Sequence, residues 1–310
     1  MLDRRAVLLV KDEAIYNTDS APVAGTDAIM CEDFKWAFAN SRMVQRKPVR
    51  ASLAAMKPIY AGTLITVSGK TEIKGSGAAG TPPEISPFLR ASGWAETIVA
   101  STSVTYKPTS VQASIKSSTI YFYDDGLLLK MTGARGKNNV DLAVGSVGYL
   151  NWEFTGHFVS VTDVALPSAT YDATAPVPLI AVPFTADSFA AVISKLAFDL
   201  GIEIAMPESI AASDGYGEIT ITGRGVTGSF NPARVLKATY DFIGKWQGGN
   251  AMALDTGPIG ATAGNIYRVT MPAFTYSEAG RGNQNNVGTY EMKFAAAESS
   301  GDDDVSVAFT

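Results

Sequence analysis

The chain has one cysteine, Cys31, and one histidine, His157, in 310 residues. A lone thiol excludes an intrachain disulfide and any thiolate zinc site built from this chain alone, so a reducing compartment is the simplest setting. A lone imidazole leaves a histidine metal site without a second ring, and a Ser-His-Asp triad would have to run through His157 with no GxSxG or HExxH beside it. His157 is therefore expected to be structural, at a strand end. Charge is also sparse: 18% of residues are charged and the net charge is −5. A nucleic-acid reader needs clustered Lys and Arg in surplus, which this balance does not supply. Few charges with abundant small residues point to a surface covered by protein, and hence to assembly. Long apolar runs are missing too. The run Ala6 to Val10 is broken by Lys11, Asp12 and Glu13, short of a signal-peptide core or a membrane span, and no membrane insertion is expected.

Two motifs imitate sites. Gly75, Gly77 and Gly80 form a literal GxGxxG, but Thr81-Pro82-Pro83 separates it from the following helix, whereas a dinucleotide loop opens that helix directly. A flexible turn is expected. Asp302, Asp303 and Asp304 lack the spaced ligands of a calcium loop and read as a solvated turn before a last strand. No catalytic residue, cofactor site or metal site is expected, and the chain is read as a non-enzyme.

What the sequence does contain is a duplication. Ile65 and Gly69 in TLITVSGK recur as Ile219 and Gly223 in EITITGRG, an interval of 154 residues. Ile65, Val67 and Ile219, Ile221 fall on apolar faces, with Thr66, Ser68, Lys70 and Thr220, Thr222, Arg224 opposite. Upstream, Phe34, Trp36 and Phe38 alternate with Asp33 and Lys35, as Leu196, Phe198, Leu200 and Ile202 do with Asp199 and Glu203. Downstream, PPEISPFLRASGWAE and NPARVLKATYDFIGKW open on proline and are expected to be helical, the first either shortened or started late by Pro87. Each copy closes on a strand pair, ending VGYLNWEF and VGTYEMKF. The expected organisation is an N-terminal arm over 1–28, one domain over 29–160, a Pro-rich linker over 161–187 and a second domain over 188–310. The fold class is α+β, mostly β, with one helix per copy.

In KDEAIYNTDSAPVAGTDAI, GSGAAGTPPEISPFLRASGWAET, TIYFYDDGLLLKMTGARG, VGYLNWEFTG and SSGDDDVSVAFT, taken in order over nearly the whole chain, the sequence resembles the major tail tube proteins of long-tailed, siphovirus-type bacteriophages. The resemblance implies two tandem tube domains, each a β-sandwich or barrel unit flanked by a helix, whose inner sheets join into a continuous β-barrel. Six such domains form a ring, so three chains would suffice. Stacked rings would conduct genomic DNA without reading its sequence. Tape measure, tail terminator and distal tail proteins are the implied partners, the virion tail is the implied location and the host cytoplasm the implied place of assembly. If each domain contributes four strands about 4.8 Å apart and tilted about 40°, the barrel is roughly 45–50 Å across. That admits a duplex of about 20 Å. The other reading is a ligand-binding or adhesive β-sandwich module of a virion or cell surface.

Two residue sets follow. The channel-lining candidates are Asp33, Thr66, Ser68, Lys70, Glu153, Asp199, Glu203, Thr220, Thr222 and Arg224, with the acids expected to keep DNA from sticking. The second set is the loop over 41–62, where Arg42, Met43, Arg46, Lys47, Arg50, Leu53, Met56 and Lys57 mix basic and apolar side chains as an interface does. It is expected to join rings, its basic groups meeting Glu208, Asp214 or Asp302 to Asp304 of a neighbour.

Overall fold

The computed structural model describes residues 5–310 as mostly antiparallel β-structure with two short α-helices. The two halves repeat one order of strands. In the first, Glu32–Ala39 pairs with Leu64–Glu72, then comes Tyr149–Asp163, then Leu127–Ala143. In the second, Ile193–Asp199 pairs with Thr227–Pro232, then Val287–Ala297, then Tyr267–Gln284. The series meet where residues 139–143 pair with residues 195–199, so eight strands run edge to edge in one sheet. Its apolar side joins a core reaching from Leu8 to Phe309 through both halves. Alternation with period two assigns one side of each strand to that core and the other to the polar face.

The long strands of each half serve a second layer as well. Leu127–Ala143 begins beside Ser118–Asp124, which pairs with Ala6–Asp12. Tyr267–Gln284 begins beside Met252–Asp255, which pairs with Thr185–Ala186. Both long strands change layer near a β-bulge, between Met131 and Arg135 and between Tyr276 and Glu278, the local device for bending a strand. The C-terminal strand Ser306–Phe309 lies between Tyr267–Gln284 and Ser103–Pro108, so a hairpin of the first half is bound to the second.

Three expectations change. The second helix covers only Phe242–Gly248, because Pro232 ends a strand and Asp241 supplies the cap, accepting the Gly244 N–H at 2.8 Å. The repeat interval also differs. Val67 lies opposite Trp36 and Phe154, while Gly228 lies opposite Phe198 and Phe294, so the ladder counterpart of Val67 is 161 residues away and not 154. The strand Thr220–Gly223 instead pairs with Glu203–Ala205. Gly201 marks the break: its φ of +60° suits glycine, and a Cβ there would stand 2.4 Å from the Gly225 carbonyl oxygen. Lastly, the glycine-rich turn is pinned to the second half. Gly77 donates to the Gly264 carbonyl at 3.0 Å and Gly75 to Asn265 Oδ1 at 2.9 Å.

Candidate assembly surfaces

The polar face of the sheet collects most of the channel candidates. Lys35, Ser68, Glu153 and Lys137 form one row across four strands. Lys70, Asn151, Asn139, Asp199 and Thr227 form another that crosses the meeting point of the halves. Lys70 pairs at 3.0 Å with both Glu32 and Asp33, and these hydrogen bonds, Asp33 first, raise its pKa. Lys137 pairs with Glu153 at 3.0 Å and Lys293 with Glu278 at 2.6 Å. Thr66 bonds Thr155 at 3.1 Å. The face is therefore an alternation of both signs, with its acids largely matched by lysines. Lys137, Lys195 and Lys293 are polar-face lysines outside the candidate set; of the three, only Lys137 lies directly opposite a candidate acid, Glu153.

Glu203, Thr220 and Thr222 lie on the two-stranded extension, alternating with Ile204 and Ile221. Arg224 is not on the face. Its guanidinium pairs with Asp302 at 2.6 Å and Asp304 at 3.1 Å.

Both outer edges of the eight-stranded sheet lack a partner among the described residues: Glu32–Ala39 at one side and residues 276–284 at the other. Phe34 stacks on Phe122 with ring centroids 3.8 Å apart, while Trp36 and Phe38 remain 44% and 48% exposed. Phe198, the ladder counterpart of Trp36, and Leu200 two residues on are buried. Arg281 on the opposite edge is exposed, and an edge strand of this kind is a template for pairing with another chain.

The 41–62 loop starts and ends as a small hairpin, Met43–Val44 with Ile59–Tyr60. Beyond it Val49 and Leu53 are fully exposed. Arg46 reaches the Lys57 carbonyl at 3.4 Å and Arg50 the Ala54 carbonyl, so the loop folds on itself. The expected acidic partners are used within the chain. Arg42 pairs with Glu208 at 2.9 Å and lies 4.0 Å over the Tyr216 ring; Asp214 binds His157 Nδ1 at 2.6 Å. Asp303 accepts the Ser299 N–H at 2.7 Å. Their proximity follows from folding the second-half loop against the first: a Cβ on Gly62, at φ +111°, would be 1.9 Å from the Asp214 carbonyl oxygen. His157 lies within Tyr149–Asp163 rather than at a strand end, with Tyr16 3.1 Å from Nε2.

The segment around Asp172 is tied to the first half by a buried lysine. Lys74, fully buried, donates to the Asp172 carbonyl at 3.0 Å and sits 3.4 Å from Glu84. Burial pushes the Glu84 carboxyl up to about 7, against the pull of Lys74.

Among the described residues no group of three or more His, Cys, Asp or Glu is placed to hold a metal ion, and no helix is long and apolar enough to cross a membrane. No curated protein matches the chain. The family model for phage tail tube proteins matches residues 3–310, which is nearly all of a sequence whose sheet carries one polar face and two open edges, and the chain belongs to that family.

Proposed function

We propose that three copies close a ring in which residues 276–284 of each chain pair with Glu32–Ala39 of the next, repeating between chains the meeting that each chain already makes between its halves. The observation that carries this is the pairing of residues 139–143 with 195–199. Their ladder counterparts are the two open edges. Matching partners across the repeat sets Ala37 opposite Gly280, Trp36 opposite Arg281 and Lys35 opposite Gly282.

The register also supports a barrel of suitable width. Lys70 is level with Thr227, whose ladder counterpart in the first half is Thr66, so the repeat advances four residues for every four strands. With about 3.3 Å per residue and about 4.8 Å between strands, this stagger gives a tilt of about 35°, within the barrel range. Three chains of eight strands then make a barrel about 45 Å across, wider than a duplex of about 20 Å.

In this ring Asp33, Thr66, Ser68, Lys70, Glu153 and Asp199 line the bore, and Glu203, Thr220 and Thr222 extend it. Paired charges of both signs present the DNA with few free cations, so it passes without sequence-specific binding. The 41–62 loop joins successive rings through Met43, Val49, Leu53 and Met56, and the tube takes the tape measure, terminator and distal tail proteins as partners in the tail. Electron microscopy of the purified full chain tests the reading. Hollow tubes with three chains per ring are expected, and six chains per ring or solid particles would overturn it.

A further inference from the structure

Apolar side chains with nothing against them gather at one end of the eight-stranded sheet, and an apolar groove opens at the other. The loop end is fixed by Ala39 opposite Leu64, which flank the 41–62 segment, and by His157 opposite Leu64. Val49, Leu53 and Ile210 are fully exposed on the loops there. Following the same strands to their far end leads from Glu72 to Tyr149 to Asp141. Beside Asp141 lies a groove of about 420 Å³ whose walls include Leu142, Val144, Ile180, Phe184, Val192 and Leu196. Val144, Ile180 and Val192 on its rim are mostly exposed.

We propose that Leu53, with Val49, seats in this groove of the next copy along the tube axis. The inference rests on the stacked-ring reading and names the surface that receives the loop. Two observations favour a second copy as the occupant. Plug and groove lie at opposite ends of one molecule, so copies stacked head to tail bring them together; such heterologous contacts do not close on themselves and generate a filament. The charged side chain in the groove wall is Lys195, and its partner Asp141 stands beside the groove. Arg46, Lys47, Arg50 and Lys57 have no ion-pair partner among the described residues, while an Asp141 carboxylate oxygen beside the groove meets no hydrogen-bond donor, its cation Lys195 standing 3.6 Å away. Apolar burial supplies the affinity, and exposed ion pairs contribute little.

The test uses the full chain. Leu53→Asp changes a fully exposed side chain, so circular dichroism should be unchanged, while the concentration needed for tubes should rise at least about tenfold with rings still present. Val192→Asp, on the groove, should reproduce the defect. With Cys31→Ser, the pair Leu53→Cys and Val192→Cys should form an interchain disulfide in tubes and none in isolated rings. Tubes of normal length from Leu53→Asp, or no disulfide in assembled tubes, would overturn the groove contact and leave the ring standing. Absence of rings from the unaltered chain would overturn both.

Discussion

Two strands that hold the same place in their halves have opposite surroundings. Phe198 and, just past its strand, Leu200 are 2% and 0% exposed, whereas Trp36, the counterpart of Phe198, and Phe38 are 44% and 48% exposed. The sequence is as apolar at the edge as inside; what differs is a neighbour. Phe198 has Val140 of the first half opposite it, and Trp36 has no strand on that side among the described residues. An apolar edge next to a polar face is explained if the chain is one part of a larger closed sheet, because closure is the arrangement that removes edges altogether.

The largest effect should come from breaking the inner member of the comparison. Phe198→Ala should cost the monomer about 3–5 kcal/mol in urea unfolding, as buried aromatic truncations do. A cost below about 1 kcal/mol would mean that the meeting of the halves does not hold the fold together.

A second effect belongs only to the interior. The Glu84 carboxyl, raised from 4.5 to about 7, is favoured protonated in the fold. Its contribution to stability is therefore fully present below pH 4.5 and lost as pH rises through about 7, amounting to about 2–4 kcal/mol. Comparing urea unfolding at pH 5 and pH 8 should show this loss, and Lys74→Met combined with Glu84→Gln should remove that part of the slope. An unchanged slope in the double variant would place the pH dependence elsewhere.

The smallest effect on the fold should come from the edge. Trp36→Ala should change monomer unfolding by about 1–2 kcal/mol, less than Phe198→Ala, since 44% of the residue is already in water. It should nevertheless abolish ring formation at concentrations where the unaltered chain assembles, measured by sedimentation. A large loss of monomer stability with normal rings would reverse the assignment of inner and outer strands.

Much of this contrast is legible in the sequence. Alternation marked Asp33, Thr66, Ser68, Lys70 and Asp199 as polar, and the order of segments marked the repeat. The interval between the halves is not legible in the alternation, because the chain breaks at Gly201 and Ile219 looks like Ile65 while the ladder matches Gly228 to Val67. Pro232 could open a helix or end a strand, and only the Asp241 cap decides where the turn tightens. Charge pairing was the least legible feature. That Glu208 meets Arg42 depends on loops from separate halves arriving at one place, and that Asp302 meets Arg224 depends on two loops of the second half that lie 78 residues apart.

The most direct measurement is the register where two chains meet. With Cys31→Ser, the pair Ala37→Cys and Gly280→Cys should yield an interchain disulfide in assembled rings, since residues directly opposite in a ladder lie about 4.5–5.5 Å apart at Cα, within disulfide reach. The account predicts a product of three linked chains closed in a circle. Linkage into closed sets of six, or assembled rings in which these two positions never join, would contradict it.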